Sequence, residues 1–83
     1  MKYTLTDHAG KVLEERQILA EWLERTLNDP TMTEGDPADE SLERRYRAIA
    51  EADGRVLRVV INASVEPVRV VSVFFDRRMR GKV

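Results

Sequence analysis

Cysteine is missing from the 83 residues, and histidine occurs once. The first absence excludes disulfides and thiolate chemistry, and the two together leave no zinc cluster. No glycine-rich phosphate loop and no nucleophile elbow is present, which removes two large classes of nucleotide and ester chemistry. The acids around the prolines lack the spacing of an EF-hand, so calcium is not expected. No apolar run approaches the ~20 residues that span a bilayer, and "MKYTLTDH" turns polar too soon for a signal peptide. The expectation is a cytoplasmic protein without membrane contact, cofactor or metal.

What is present suits one folded domain over residues 1–83. The chain is 42% hydrophobic and 35% charged, the balance of a soluble globular protein. At this length roughly 60–65% of the unfolded chain's surface can be buried, so the fold should be thin, one sheet with one face covered. The net charge of −1 hides an asymmetry. Residues 1–43 hold 4 Lys/Arg and 11 Asp/Glu, a balance of −7, while residues 44–83 hold 10 and 4, a balance of +6. Such a split marks either a basic face for phosphates or two halves that attract each other.

Hydrophobic periodicity outlines the elements. "KYTL" alternates as a short strand, after which Thr6 or Asp7 can cap a helix. Ala9, Val12 and Leu13 share one face of that helix. A second helical stretch, "QILAEWLERTLNDP", carries Ile18, Leu19, Trp22, Leu23, Thr26 and Leu27 as an apolar stripe and ends before Pro30. The boundary near Gln17 is not defined by a cap. Residues 29–42, with two prolines, a glycine and many acids, read as a flexible acidic loop. Three strands follow, "LERRYRAIA", "RVLRVVINA" and "VRVVSVFF", the first two joined by a tight turn at "ADG". The sum is an α+β fold. It has an N-terminal strand, two helices and a three-stranded antiparallel meander, with the helices packed on one sheet face. Trp22 is expected between the layers against Leu57, Val59 and Ile61.

Among polar groups, one imidazole and a set of arginines remain. Such residues suit a phosphodiester: histidine moves protons near neutral pH, and guanidinium groups hold and neutralise phosphate. Strand parity places Arg45 and Arg47 together on the face away from the core, and Arg58 away from the apolar face of its own strand. Arg77 and Arg78 follow the last strand. A solvated sheet face lined with paired arginines is the competing reading. Tyr46, Phe74 and Phe75 read equally well as core or as a stacking surface. His8, at the first turn of a helix, is either a proton-transfer group or a packing group over the helix start.

Taken in order, "TDHA", Glu15-Arg16, Ile18, "NDP", "RRY", "RVV" and "VVSVFFDRR" resemble a small bacterial domain family of unknown function. That family is distantly similar to BrnT-type and RelE/ParE-type toxins of toxin–antitoxin systems. The resemblance implies a RelE/ParE-like fold and, for some relatives, RNA cleavage without metal. Carried over by position, it makes His8, Arg16 and Arg45 catalytic candidates and Arg58, Arg77 and Arg78 phosphate-binding ones. It implies RNA or the ribosome, and an antitoxin-like protein, as partners. Four positions depart from the family pattern: Val12 stands where a basic residue is common, Gln17 where a glycine is, Leu19 where Ser or Thr caps, and Ser72, a mild change, where Thr is common. A non-catalytic domain that uses the same basic face to bind nucleic acid or an acidic protein segment is the alternative.

Overall fold

A computed structural model describes residues 2–83 of the chain. The elements run β1 (Tyr3–Leu5), α1 (Asp7–Glu15), α2 (Ala20–Asn28), β2 (Met32–Gly35), β3 (Leu42–Ile49), β4 (Arg55–Asn62) and β5 (Val68–Phe75). The five strands form one mixed sheet in the order β1-β5-β4-β3-β2. β1 lies parallel to β5, and the other neighbours are antiparallel. Both helices pack on the same face, α1 over β5 and α2 over β4 and β3. The α+β expectation and the meander β3-β4-β5 are therefore correct, as is the turn at Asp53 and Gly54, which have φ of 61° and 74°.

Thr6 starts α1. Its Oγ1 accepts from the Ala9 backbone N–H and donates to the Val71 carbonyl, each at 3.1 Å. Its own N–H reaches the Val70 carbonyl at 3.0 Å. One side chain thus satisfies an orphan donor of the first turn and pins the helix start to β5. At the other end Gln17 takes a left-handed conformation (φ 55°). The Ile18 N–H then returns to the Leu13 carbonyl at 2.9 Å and the Gln17 N–H to Glu14 at 3.3 Å. This is a Schellman stop, built on a residue that fits it less well than glycine. It turns Ile18 into the core, where that residue is 5% exposed. Leu19 begins α2 with no side-chain cap.

The core lies between the helices and one sheet face. Leu57, Val59, Ile61, Val70 and Val73 meet Ala9, Ile18, Leu23 and Leu27 there. Trp22 packs against this cluster as expected, but is partly buried and not at its centre. Leu23, Thr26 and Leu27 hold the centre of the α2 stripe, and Trp22, one step round the helix, is half-buried at the rim. Its ring meets Phe75 edge-on, with centroids 6.3 Å apart.

Two expectations are corrected. The acidic segment 29–42 is not all loop, because Met32–Gly35 form an edge strand paired with Glu43–Tyr46. Its pattern, Met-Thr-Glu-Gly, offers no apolar face, and what holds it is pairing and polar contact with β3. Arg45 and Arg47 also face the opposite way from the expected one. Arg45 pairs with Val59 and Arg47 with Leu57, and cross-strand partners share a face. Both arginines therefore lie on the helix side and reach past the core to the end of α2. Arg45 Nη1 donates to the Leu27 carbonyl and Arg47 Nη1 to the Asp29 carbonyl, both at 2.7 Å.

Candidate functional site

The ion pairs show which cations are already committed to the fold. On the uncovered sheet face Arg44 contacts Asp36 at 3.1 Å and Glu34 at 3.7 Å. The Tyr46 hydroxyl donates to Glu34 at 2.8 Å. Arg58 sits over the Phe74 ring, 4.0 Å from its centroid, and 3.5 Å from Asp76. On the helix side Arg45 meets Glu43 at 2.7 Å, Arg47 meets Asp29 at 3.3 Å and Arg25 meets Glu51 at 2.7 Å. Many of these pairs join the acidic first half to the basic second half, so mutual attraction accounts for much of the charge asymmetry. The Arg25 guanidinium holds the Glu51 carboxyl down to about 2. Burial, and then the hydrogen bond to Glu24, push the Tyr3 hydroxyl up to about 12. Both groups belong to the scaffold.

A different set of cations collects at one end of the sheet. β1 pairs only with Val68–Val70 of β5, and the chain then leaves the sheet as α1. The rest of β5 runs on beside that helix and leaves a groove of about 640 Å³. His8, Val12 and Arg16, four residues apart and hence on one helical face, line it from α1, together with Ile18. Ser72–Phe75 form its other wall, and Arg55 and Arg77 close its end. No lining residue is acidic. His8 and Arg16 are exposed, and neither forms a side-chain hydrogen bond or ion pair among the described residues.

The groove answers why the lone histidine follows Thr-Asp. Thr6 caps the helix and anchors it to β5, which leaves the imidazole two residues later directed at the groove instead of at the backbone. Of the six residues singled out from sequence, His8, Arg16 and Arg77 meet here. Arg45 is held on the helix side by Leu27 and Glu43. Arg58 is on the uncovered face beside Asp76. Arg78 is exposed on the turn after β5, outside the groove lining. Arg55 is the groove residue that sequence reasoning missed. It shares the parity of Leu57 and Val59, and a cation at a core-facing position at the strand start was the available signal.

No group of three His, Cys, Asp or Glu side chains placed to hold a metal occurs among the described residues. No helix among them is long and apolar enough to cross a membrane. In chemical terms the groove offers one proton acceptor, three guanidinium groups and a hydroxyl at Ser72 around an open strand edge. The model of a family described as "Domain of unknown function (DUF4258)" matches residues 5–75. That span takes in both helices, β5 and every groove residue except Arg77. Nothing among curated proteins or solved structures matches the chain.

Proposed function

The chain belongs to the DUF4258 family of domains of unknown function, and on that premise we propose that it cleaves RNA in the groove between α1 and the end of β5. One observation carries the reading: His8, Arg16, Arg55 and Arg77 line a single groove that no acidic residue lines. A polyanion entering it meets cations with no acidic residue in the lining to compete for them. RNA is the substrate that such equipment suits, because its own 2′-hydroxyl is the nucleophile. His8 takes the 2′-hydroxyl proton, the oxygen attacks the adjacent phosphorus, and the P–O5′ bond breaks. The 5′-oxygen leaves with a proton from water, giving a 2′,3′-cyclic phosphate and a 5′-hydroxyl. Arg16, Arg55 and Arg77 neutralise the charge that gathers on the phosphoryl oxygens in the transition state.

The family that the motifs resemble reads as distantly similar to BrnT-type and RelE/ParE-type toxins, and on that resemblance we extend the proposal to a toxin-like ribonuclease. Its substrate would be free or ribosome-bound RNA, and an antitoxin-like protein would cover the groove to silence it. A second reading is favoured by Val12 lying between His8 and Arg16 on the groove face, so that one imidazole is the only proton carrier of its kind there. On that reading the groove binds RNA and leaves it intact. Incubating end-labelled RNA with the protein in a chelator separates the readings. Fragments ending in cyclic phosphate support cleavage, and retention of uncut RNA supports binding alone. Neither cleavage nor retention overturns both.

A further inference from the structure

We propose that Arg55 is the platform for an unpaired nucleobase, and that the recess beside the groove is a base subsite; the inference rests on the RNA reading of the groove. The recess, about 270 Å³, is lined by Arg55, Val56, Phe75, Asp76, Arg77 and Arg80. It shares Arg55, Phe75 and Arg77 with the groove, so a strand whose phosphate lies against Arg77 has a base beside the recess mouth.

Arg55 is set for stacking. Its guanidinium carbon lies 4.1 Å from the centroid of the Phe75 ring, and its Nε donates to the Ala52 carbonyl at 3.1 Å. The guanidinium is thereby held against an aromatic ring and tied at Nε to backbone. The residue is nonetheless exposed, and it pairs with no carboxylate among the described residues. An aliphatic side chain at this core-facing position would cover Phe75 equally well. A guanidinium adds a planar group already held in place by Phe75 and the Ala52 carbonyl, which lowers the ordering cost of binding. Arginine planes and aromatic rings are the surfaces on which single-stranded RNA stacks its bases. The acid in the recess does not oppose this: Asp76 is 3.5 Å from Arg58 and accepts the Arg78 backbone N–H at 3.0 Å. Stacking of this kind tolerates any base, so the subsite confers a requirement for single-stranded nucleotides and not for a sequence.

The test uses two short fluorescein-labelled strands with equal numbers of phosphates, one of 2′-O-methyl RNA and one of base-free 2′-O-methylribose phosphate. Neither can be cut, because the 2′-oxygen is blocked. Wild-type protein should bind the base-bearing strand roughly tenfold more tightly. Arg55→Lys, which keeps the charge and loses the plane, should bind both strands alike with an unchanged salt dependence. Trp22, edge-on to Phe75 and the only tryptophan of the chain, gives a second readout on unmutated protein. Its emission should change with the base-bearing strand and not with the base-free one. Equal wild-type affinity for the two strands, or a silent Trp22 with both, overturns the subsite and leaves the phosphate groove standing. A preference that survives Arg55→Lys overturns the platform. Failure to bind either strand refutes the RNA reading, and the subsite falls with it.

Discussion

Replacing Arg16 by Gln should change how RNA binding responds to salt, by an amount that follows from the groove. Three guanidinium groups, Arg16, Arg55 and Arg77, line it without an acidic neighbour in the lining. Each phosphate neutralised on a single strand contributes about 0.7 to the slope of log affinity against log salt. Three such contacts give a slope of about −2, so raising salt from about 50 to about 200 mM should weaken binding roughly 20-fold. Arg16→Gln should bring the slope to about −1.4 and the loss to roughly 7-fold. Arg45→Gln is the matched control, since its guanidinium is held at 2.7 Å from both Glu43 and the Leu27 carbonyl on the helix side. It should leave the slope unchanged while loosening the joint to α2. Fluorescence anisotropy on an uncleavable 2′-O-methyl strand measures all three proteins. A wild-type slope near zero would refute the reasoning, as would a flattened slope in Arg45→Gln with none in Arg16→Gln.

Other consequences concern the scaffold. Leu57, fully buried beneath the helices, should cost about 2–5 kcal/mol when cut to Ala in a denaturant melt. Gln17→Gly at the left-handed stop of α1 and Leu19→Ser at the uncapped start of α2 should each raise stability by about 0.5–1 kcal/mol. Glu51 should titrate at about 2 instead of the ordinary 4.5 when followed by NMR. Because its folded value is depressed, its contribution is complete above about 4.5 and is lost as pH falls toward about 2. Arg25→Gln should raise the titration toward the usual carboxylate range, while the backbone hydrogen bond at Glu51 still lowers it.

How much of this was legible in the sequence differs from element to element. The helices and the three-strand meander follow from apolar spacing, because each places one face on the core. β2 does not, since Met32–Gly35 have no apolar face and are held by pairing with β3 and by polar contacts that Glu34 makes with Arg44 and Tyr46. The parity of β3 misleads for a related reason. Tyr46 looks like a core residue and is 1% exposed, yet it lies on the uncovered face in line with Arg58. The long arms of Arg45 and Arg47 allow them to stand on the core side and still find polar partners at the end of α2. At the site, the i, i+4 spacing of His8 and Arg16 through Val12 is local and readable. The approach of Arg55 and Arg77 depends on the β4–β5 register, which sets Leu57 opposite Phe75, and the open edge beside them on where β1 stops pairing with β5; neither is a property of a single segment.

His8→Gln is the measurement that reaches the central claim most directly, with RNA turnover and melting temperature read on the same preparation. The ring is exposed and forms no hydrogen bond within the described residues, so its loss should move the melting temperature by no more than about 3 °C. Turnover should fall by ~10²-fold or more, the share of a general base. Unchanged turnover in His8→Gln, whatever happens to the melting temperature, would contradict the account.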